Sequence, residues 1–216
     1  MVSNKKSENP RKRPYTLRAR ARRRDEVHNR ITEATVQLHG TVGPVRTTVR
    51  EIAKIAGVRR ATVYNHFPTD RELFDACSSH WFSENPPPDP TPWAEVPDPA
   101  RRAEIALSAM YDYYDQGRDM LENVLRDAPL VPALGEILEE KWRPLMERIA
   151  EILAGGAIAA KSDPAGDHLE LLASLRVALD FSTWKSFADS GLSNDEAARL
   201  SAAWVDTVRK SPPSQV

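Results

Sequence analysis

The sequence predicts an all-α protein, and three observations carry that prediction. Apolar residues recur at spacings of three and four, as in Val27, Ile31, Ala34 and Leu38, which is the stripe of an amphipathic helix. Helix-start signals stand beside such stripes. Thr48 to Glu51, Thr69 to Glu72 and Ser193 to Glu196 all have the S/T-x-x-E form of a capping box, in which the two side chains satisfy orphan backbone N–H groups. Finally, no alternating β-branched run, the mark of a half-buried strand, occurs anywhere.

Taken in order, residues 1–24 carry 10 Lys and Arg and almost nothing apolar. Such a stretch cannot bury enough surface to fold alone, so a flexible basic arm is expected. It either tracks phosphates and minor grooves or only solubilises. Order is expected from Asp25, with a first helix ended by Gly40 to Pro44. A short second helix follows Thr48, with Val49, Ile52, Ala53 and Ala56 on one face. Gly57 marks a tight turn. A third short helix runs from Arg59 to Phe67 and stops at Pro68, and Thr69 opens a fourth through Leu73, Phe74, Cys77 and Trp81.

Residues 86–99 hold seven prolines around Trp93, so a semi-extended connector is expected there. Asp98-Pro99 then reads as an N-cap with proline at the first helical position. Helices are expected over about 98–116, 119–127 and 131–154, the last with a kink at Pro144. Another is expected from Asp163-Pro164 to about Ser190, and a last one after Ser193. The resulting division is an arm at 1–24, a small domain at 25–72, a larger helical domain at 73–210 and a tail at 211–216.

The net charge of −1 hides a strong asymmetry. Residues 1–72 hold 17 Lys and Arg against 7 Asp and Glu, whereas residues 73–216 hold 13 against 24. The N-terminal part is therefore suited to a polyanion and the rest is not. The single cysteine, Cys77, leaves no internal disulfide framework. With no apolar stretch of bilayer length and no signal-like h-region, a cytoplasmic protein without membrane contact is expected. The five histidines show no i,i+4 pair, and no Walker loop, G-x-S-x-G or G-x-G-x-x-G occurs. Neither catalysis, a metal site nor a cofactor is indicated.

Short helices with a glycine turn between the second and third describe a helix-turn-helix. Its recognition helix would expose Arg59, Arg60, Thr62, Asn65 and His66, side chains that bond phosphates or base edges. From about Val27 to Phe74 the chain resembles the DNA-binding domain of the TetR family of bacterial regulators. The resemblance rests on Ile31, Ala34, Leu38, Gly43, Thr47-Thr48, Ile52-Ala53, Ala56-Gly57-Val58, Thr62-Val63-Tyr64, His66-Phe67 and Glu72-Leu73. It implies a homodimer whose two recognition helices read a pseudo-palindromic double-stranded operator. It also implies a C-terminal domain that dimerises and encloses a small-molecule effector, so that binding represses until the effector arrives. By the same analogy, Thr47, Thr48, Tyr64 and His66 contact phosphates. Arg59 stands where a small N-cap residue is usual, and Asp70 where the family often has lysine. Arg71 or the basic arm is expected to replace that lost contact.

In the larger domain, aromatic residues at helical spacing fit a core and equally an apolar effector pocket with a few polar handles. Trp81, Tyr111, Tyr114, Trp142 and Trp184 are the candidate pocket residues. Asp180 interrupts an apolar run, so it either faces solvent or is a buried carboxylate needing a partner. For dimerisation, Leu172, Leu175 and Leu179 form one candidate stripe and Leu200, Trp204 and Val208 another, both able to face their own core instead. The fourth helix joins the domains and is the natural lever for a population shift. The competing reading is a switch-free DNA-binding dimer whose C-terminal domain only dimerises or recruits a protein.

Overall fold

The computed structural model describes residues 12–155 and 167–210, and every regular element among them is helical. The N-terminal bundle comprises α1 (Lys12–Thr41), α2 (Val49–Ile55) and α3 (Arg60–His66), and α4 (Asp70–Glu84) leads out of it. The larger domain is built from α5 (Pro99–Gln116), α6 (Arg118–Asp127), α7 (Pro132–Ala154), α8 (Asp167–Ala178), α9 (Phe181–Asp189) and α10 (Asn194–Lys210). All three expected capping boxes form. Thr48, Thr69 and Ser193 each accept from the backbone N–H three residues on, while Glu51, Glu72 and Glu196 reach back to the cap N–H.

Three expectations need correction. The first helix starts at Lys12 rather than near Asp25. Arg, Lys, Ala and Leu dominate residues 12–24, and adding good helix formers to a nucleated helix costs little. Pro14 lies in the first turn, where its missing N–H would have had no partner. The rest of the expected arm, residues 1–11, lies outside the described residues. Secondly, the helix expected to run to Ser190 breaks at Leu179-Asp180. Asp180 is exposed and caps α9 by accepting from Ser182 N at 2.8 Å, so it is neither buried nor in need of an ionic partner. The start expected at Asp163-Pro164 lies outside the described residues. Thirdly, the proline-rich connector contains a 3-10 turn, Thr91–Glu95, that buries Trp93 against α5 and α7. The connector is thus pinned to the core. α7 continues through Pro144.

The core of the small domain is Ile31, Ala34 and Leu38 of α1 packed on Ile52, Val63 and Phe67. In the larger domain, Tyr111, Tyr114 and Trp184 are buried among α5, α8, α9 and α10. Their polar tips are all satisfied. Tyr111 donates to the Ala178 carbonyl at 2.7 Å, Tyr114 to the Leu179 carbonyl at 2.6 Å, and Trp184 Nε1 to Asn194 at 3.0 Å. The two tyrosines therefore satisfy carbonyls left without helical donors where α8 ends inside the core.

The domains meet where α6 crosses the end of α1. Asn123 Nδ2 donates to the carbonyls of His39 and Gly40 at 3.0 and 3.1 Å, and Asp127 accepts from Val45 N at 2.9 Å. Gly43 makes this approach feasible. Its φ of +88° favours glycine, and a Cβ there would lie 2.6 Å from the Asp127 carboxylate. Gly43→Ala is expected to cost about 1–3 kcal/mol through backbone strain alone, and more through the displaced carboxylate. Urea unfolding monitored by circular dichroism reads this loss; an unchanged midpoint would show that the junction tolerates a side chain.

Candidate nucleic-acid interface and ligand chambers

The turn between α2 and α3 forms as the sequence requires. Gly57 adopts φ +65°, and Val58 N donates to the Ala53 carbonyl at 2.9 Å. Val63 and Phe67 anchor α3 in the core, which leaves its other face free. Arg59, Arg60, Tyr64 and Asn65 are exposed, whereas Thr62 and His66 are half-buried. Arg59 holds the N-cap position without a side-chain cap bond, leaving its guanidinium uncommitted to the helix start.

Thr47 and Thr48 are placed beside this face, but their hydroxyls are engaged. Thr47 donates to the Gly43 carbonyl at 2.8 Å and Thr48 to Glu51 at 2.6 Å. Each hydroxyl has a single proton, so donation to a phosphate requires these bonds to exchange. Sequence reasoning passed over Arg50 and Lys54. One turn apart on α2, they line an open hollow of about 380 Å³ together with Arg60 of α3. The legible signal was two bases at i,i+4 on the face opposite Ile52 and Ala53. Arg71, expected near phosphate, instead turns toward α7 and pairs with Glu136 and Glu140, both at 2.7 Å. Two carboxylates one helical turn apart outcompete solvent for its planar fork.

α1 reaches this interface as well. His28 packs on Phe67 with ring centroids 4.5 Å apart and lies 6.2 Å from His66. Partial burial, and then the nearby His28 and Arg24, hold His66 below the usual histidine range. In the free protein His66 thus favours its neutral form more than an ordinary histidine does. Arg20, Arg22, Arg23 and Arg24 are exposed along the same helix.

A basic hollow, an anchored recognition helix and a glycine turn make this a helix-turn-helix surface. Residues 31–77 match the model of the bacterial regulatory proteins of the tetR family. Over these residues the chain is similar to the DNA-binding domain of the TetR family. Solved structures extend the likeness over both domains. A Clostridium perfringens protein provisionally described as a fatty acid metabolism regulator aligns with 82% of this chain and 96% of its own, at 22% identity and a TM-score of 0.58. A transcriptional regulator from Rhodococcus sp. RHA1 aligns over 86% and 99% at 22% identity and a TM-score of 0.54. A TetR-like transcriptional regulator from the same organism aligns over 83% and 93%, with 19% identity and a TM-score of 0.53. Identities this low establish a shared fold. No curated protein matches the sequence.

Behind the TetR-type DNA-binding domain, two spaces lie between α4, α6 and α7. The inner one is walled by His39 and Phe74 at the domain junction and by Cys77, Trp81, Leu121 and Trp142 above it; it retains only about 40 Å³ of free volume. The outer one, about 350 Å³, opens between α6, α7 and the start of α9, with Leu125, Leu138 and Trp142 common to both. Of the expected pocket residues, Trp81 and Trp142 are thus brought together at the inner space. Tyr111, Tyr114 and Trp184 are placed in the packed core instead, their polar atoms committed as described.

The expected dimer residues also divide. Leu172, Leu175 and Leu179 are buried in their own domain, because α8 turns that stripe toward α7 and α10. The outer face of α8 carries Leu169, Ala173 and Val177 at exact four-residue spacing, all exposed. Leu200 and Trp204 of α10 are exposed as well, and Val208 is half-buried. Among the described residues no three His, Cys, Asp or Glu side chains gather as a metal-ligand set, and no helix is long and apolar enough to cross a membrane.

Proposed function

We propose that the protein is a homodimeric repressor that holds a pseudo-palindromic operator through α3 and releases it when a small molecule enters the larger domain. The observation that carries this reading is a shared wall. His39 and Phe74, stacked with ring centroids 5.3 Å apart, close the inner chamber on one side. On the other, the His39 carbonyl is held by Asn123 of α6, and Leu38 beside it belongs to the core that anchors α3. Ligand pressure on this wall acts on the orientation of the DNA-binding domain. A ligand that binds better to the displaced arrangement shifts the population away from the operator-bound one.

Phosphate contact is assigned to Arg50, Lys54 and Arg60 around the hollow, with Tyr64 and His66 at the end of α3. Arg59, Thr62 and Asn65 face the bases or the adjoining backbone. The switch-free alternative is favoured by one observation, the small free volume of the inner chamber.

The test is titration of the purified dimer against the duplex upstream of its own gene, at several salt concentrations, with and without a compound library. Nanomolar, salt-sensitive binding abolished by one compound is the expected result. Arg60→Ala should weaken binding and reduce the slope of log K against log salt by about one phosphate contact per protomer. Tight binding that no compound disturbs would instead favour the switch-free dimer.

A further inference from the structure

The inner chamber carries more information than its size. It is lined by no charged side chain, and its polar side chains are His39, Cys77 and Ser78 beside the indoles of Trp81 and Trp142. His39 Nδ1 and Cys77 Sγ are 3.3 Å apart and satisfy one another. Burial pushes the imidazole down to about 4 and the thiol up to about 12, so both are neutral near pH 7. An ionised ligand group would lose its hydration there with no counter-charge to replace it. The outer basin carries charges, but its arginines are already engaged. Arg176 is paired with Glu147 at 2.7 Å, Arg143 donates to Glu139 at 2.6 Å, and Asp180 caps α9.

Between the two spaces stands Trp142. Its indole stacks nearly parallel to Phe82 and Tyr113, with centroids 6.2 Å from each and interplanar angles of 16° and 21°. The partition sits on a weakened stretch of helix. Pro144, two residues on, has no N–H to donate to the Glu140 carbonyl, so the turn carrying Trp142 lacks one of its helical bonds. Leu125, Leu138 and Trp142 form the common wall of the inner space and the basin, whose volumes together fall within the range of about 300–1,000 Å³ usual for small-molecule sites.

We infer that the effector is an uncharged, flat, apolar molecule of one or two aromatic rings, admitted past Trp142 and seated against Phe74, Trp81 and Phe82. This rests on the reading that the larger domain binds the effector. Aromatic walls favour offset or edge contacts with a flat ring, and the inner space, where the ring sits, has no charged side chain to pair with a carboxylate or an ammonium.

The experiment compares naphthalene with 1-naphthoate on the full-length protein without DNA, by calorimetry and tryptophan fluorescence. Naphthalene is expected to bind at least ten-fold more tightly than the anion. Ser78→Phe, which fills the chamber from a half-buried position, should abolish that binding while leaving the helical signal unchanged. Pro144→Ala restores the helical bond beside the partition and should slow naphthalene association at least three-fold, an effect a purely structural Trp142 would not give. Preference for 1-naphthoate, or no binding of either probe to the folded protein, overturns the inference. Naphthalene that binds as expected yet leaves the operator complex intact overturns the ligand-released reading and leaves the chamber's specificity standing.

Discussion

Leu200→Glu combined with Trp204→Glu is expected to convert the protein to a monomer and to weaken operator binding at least 100-fold. The two side chains are 52% and 42% exposed on one turn of α10, beside the exposed stripe of Leu169, Ala173 and Val177 on α8. α8 and α10 pack together, so both present exposed apolar side chains on the same side of the larger domain, and clustered exposed apolar residues mark interaction surfaces. Burying a large apolar side chain stabilises by about 1.5–3 kcal/mol, and a two-fold interface buries each residue twice. Replacing four such side chains by carboxylates removes that gain and adds repulsion between like charges. Because the residues are exposed within the protomer, its fold should survive. Analytical ultracentrifugation and circular dichroism together read the result. A folded double variant that remains dimeric would place the interface elsewhere.

Acidification should destabilise the protein through His39. Its ring is buried at the domain junction, and desolvation lowers its pKa from 6.5 to about 4, against a weaker opposing pull from Asp127. The unfolded chain therefore binds this proton between those two values and the folded one does not. The contribution to stability is complete above pH 6.5 and is lost as pH falls toward 4, by about 3 kcal/mol over the window. Urea unfolding at pH 7 and pH 4 measures the loss. Carboxylates add their own acid sensitivity, so the comparison is with His39→Leu, in which the difference between the two pH values should shrink by about that amount. An equal pH dependence in both proteins would mean that the junction opens enough to hydrate the imidazole. Since His39 also closes the inner chamber, the same protonation would place a charge at the ligand's seat.

Local signals were legible wherever a short segment decides its own conformation. Capping boxes at Thr48, Thr69 and Ser193 satisfy orphan N–H groups within four residues, and Gly57 supplies a positive φ that few other residues accept. These forces act over one turn, so the helix starts and the helix-turn-helix follow from the chain alone. The outer face of α3 was readable in part for the same reason: inward Val63 and Phe67 leave Arg59, Arg60 and Asn65 exposed, while Thr62 and His66, expected on that face too, are half-buried. Asp180 was a cap hidden inside an apolar run; an acid followed by Phe181-Ser182 is also an N-cap pattern, but it competes with a stripe that continues on both sides.

Which stripe faces which neighbour was not legible, since periodicity marks a face without naming its partner. Leu172, Leu175 and Leu179 look like any apolar seam, and only the packing of α8 between α7 and α10 turns them inward and leaves Leu169 and Val177 outside. Tyr111 and Tyr114 became core because the buried end of α8 needed donors for its last carbonyls, a demand created by a helix more than sixty residues away in the chain. Arg71 left the DNA side because two glutamates of α7 came within reach. Sequence by itself determined the all-helical class, the helix caps, the basic N-terminal half and the exposed face of α3, all legible within a few residues of chain. Tertiary structure alone decided the pocket wall, the outward face of α8 and the buried His39 at the junction, because burial and pairing there depend on contacts between distant parts of the chain.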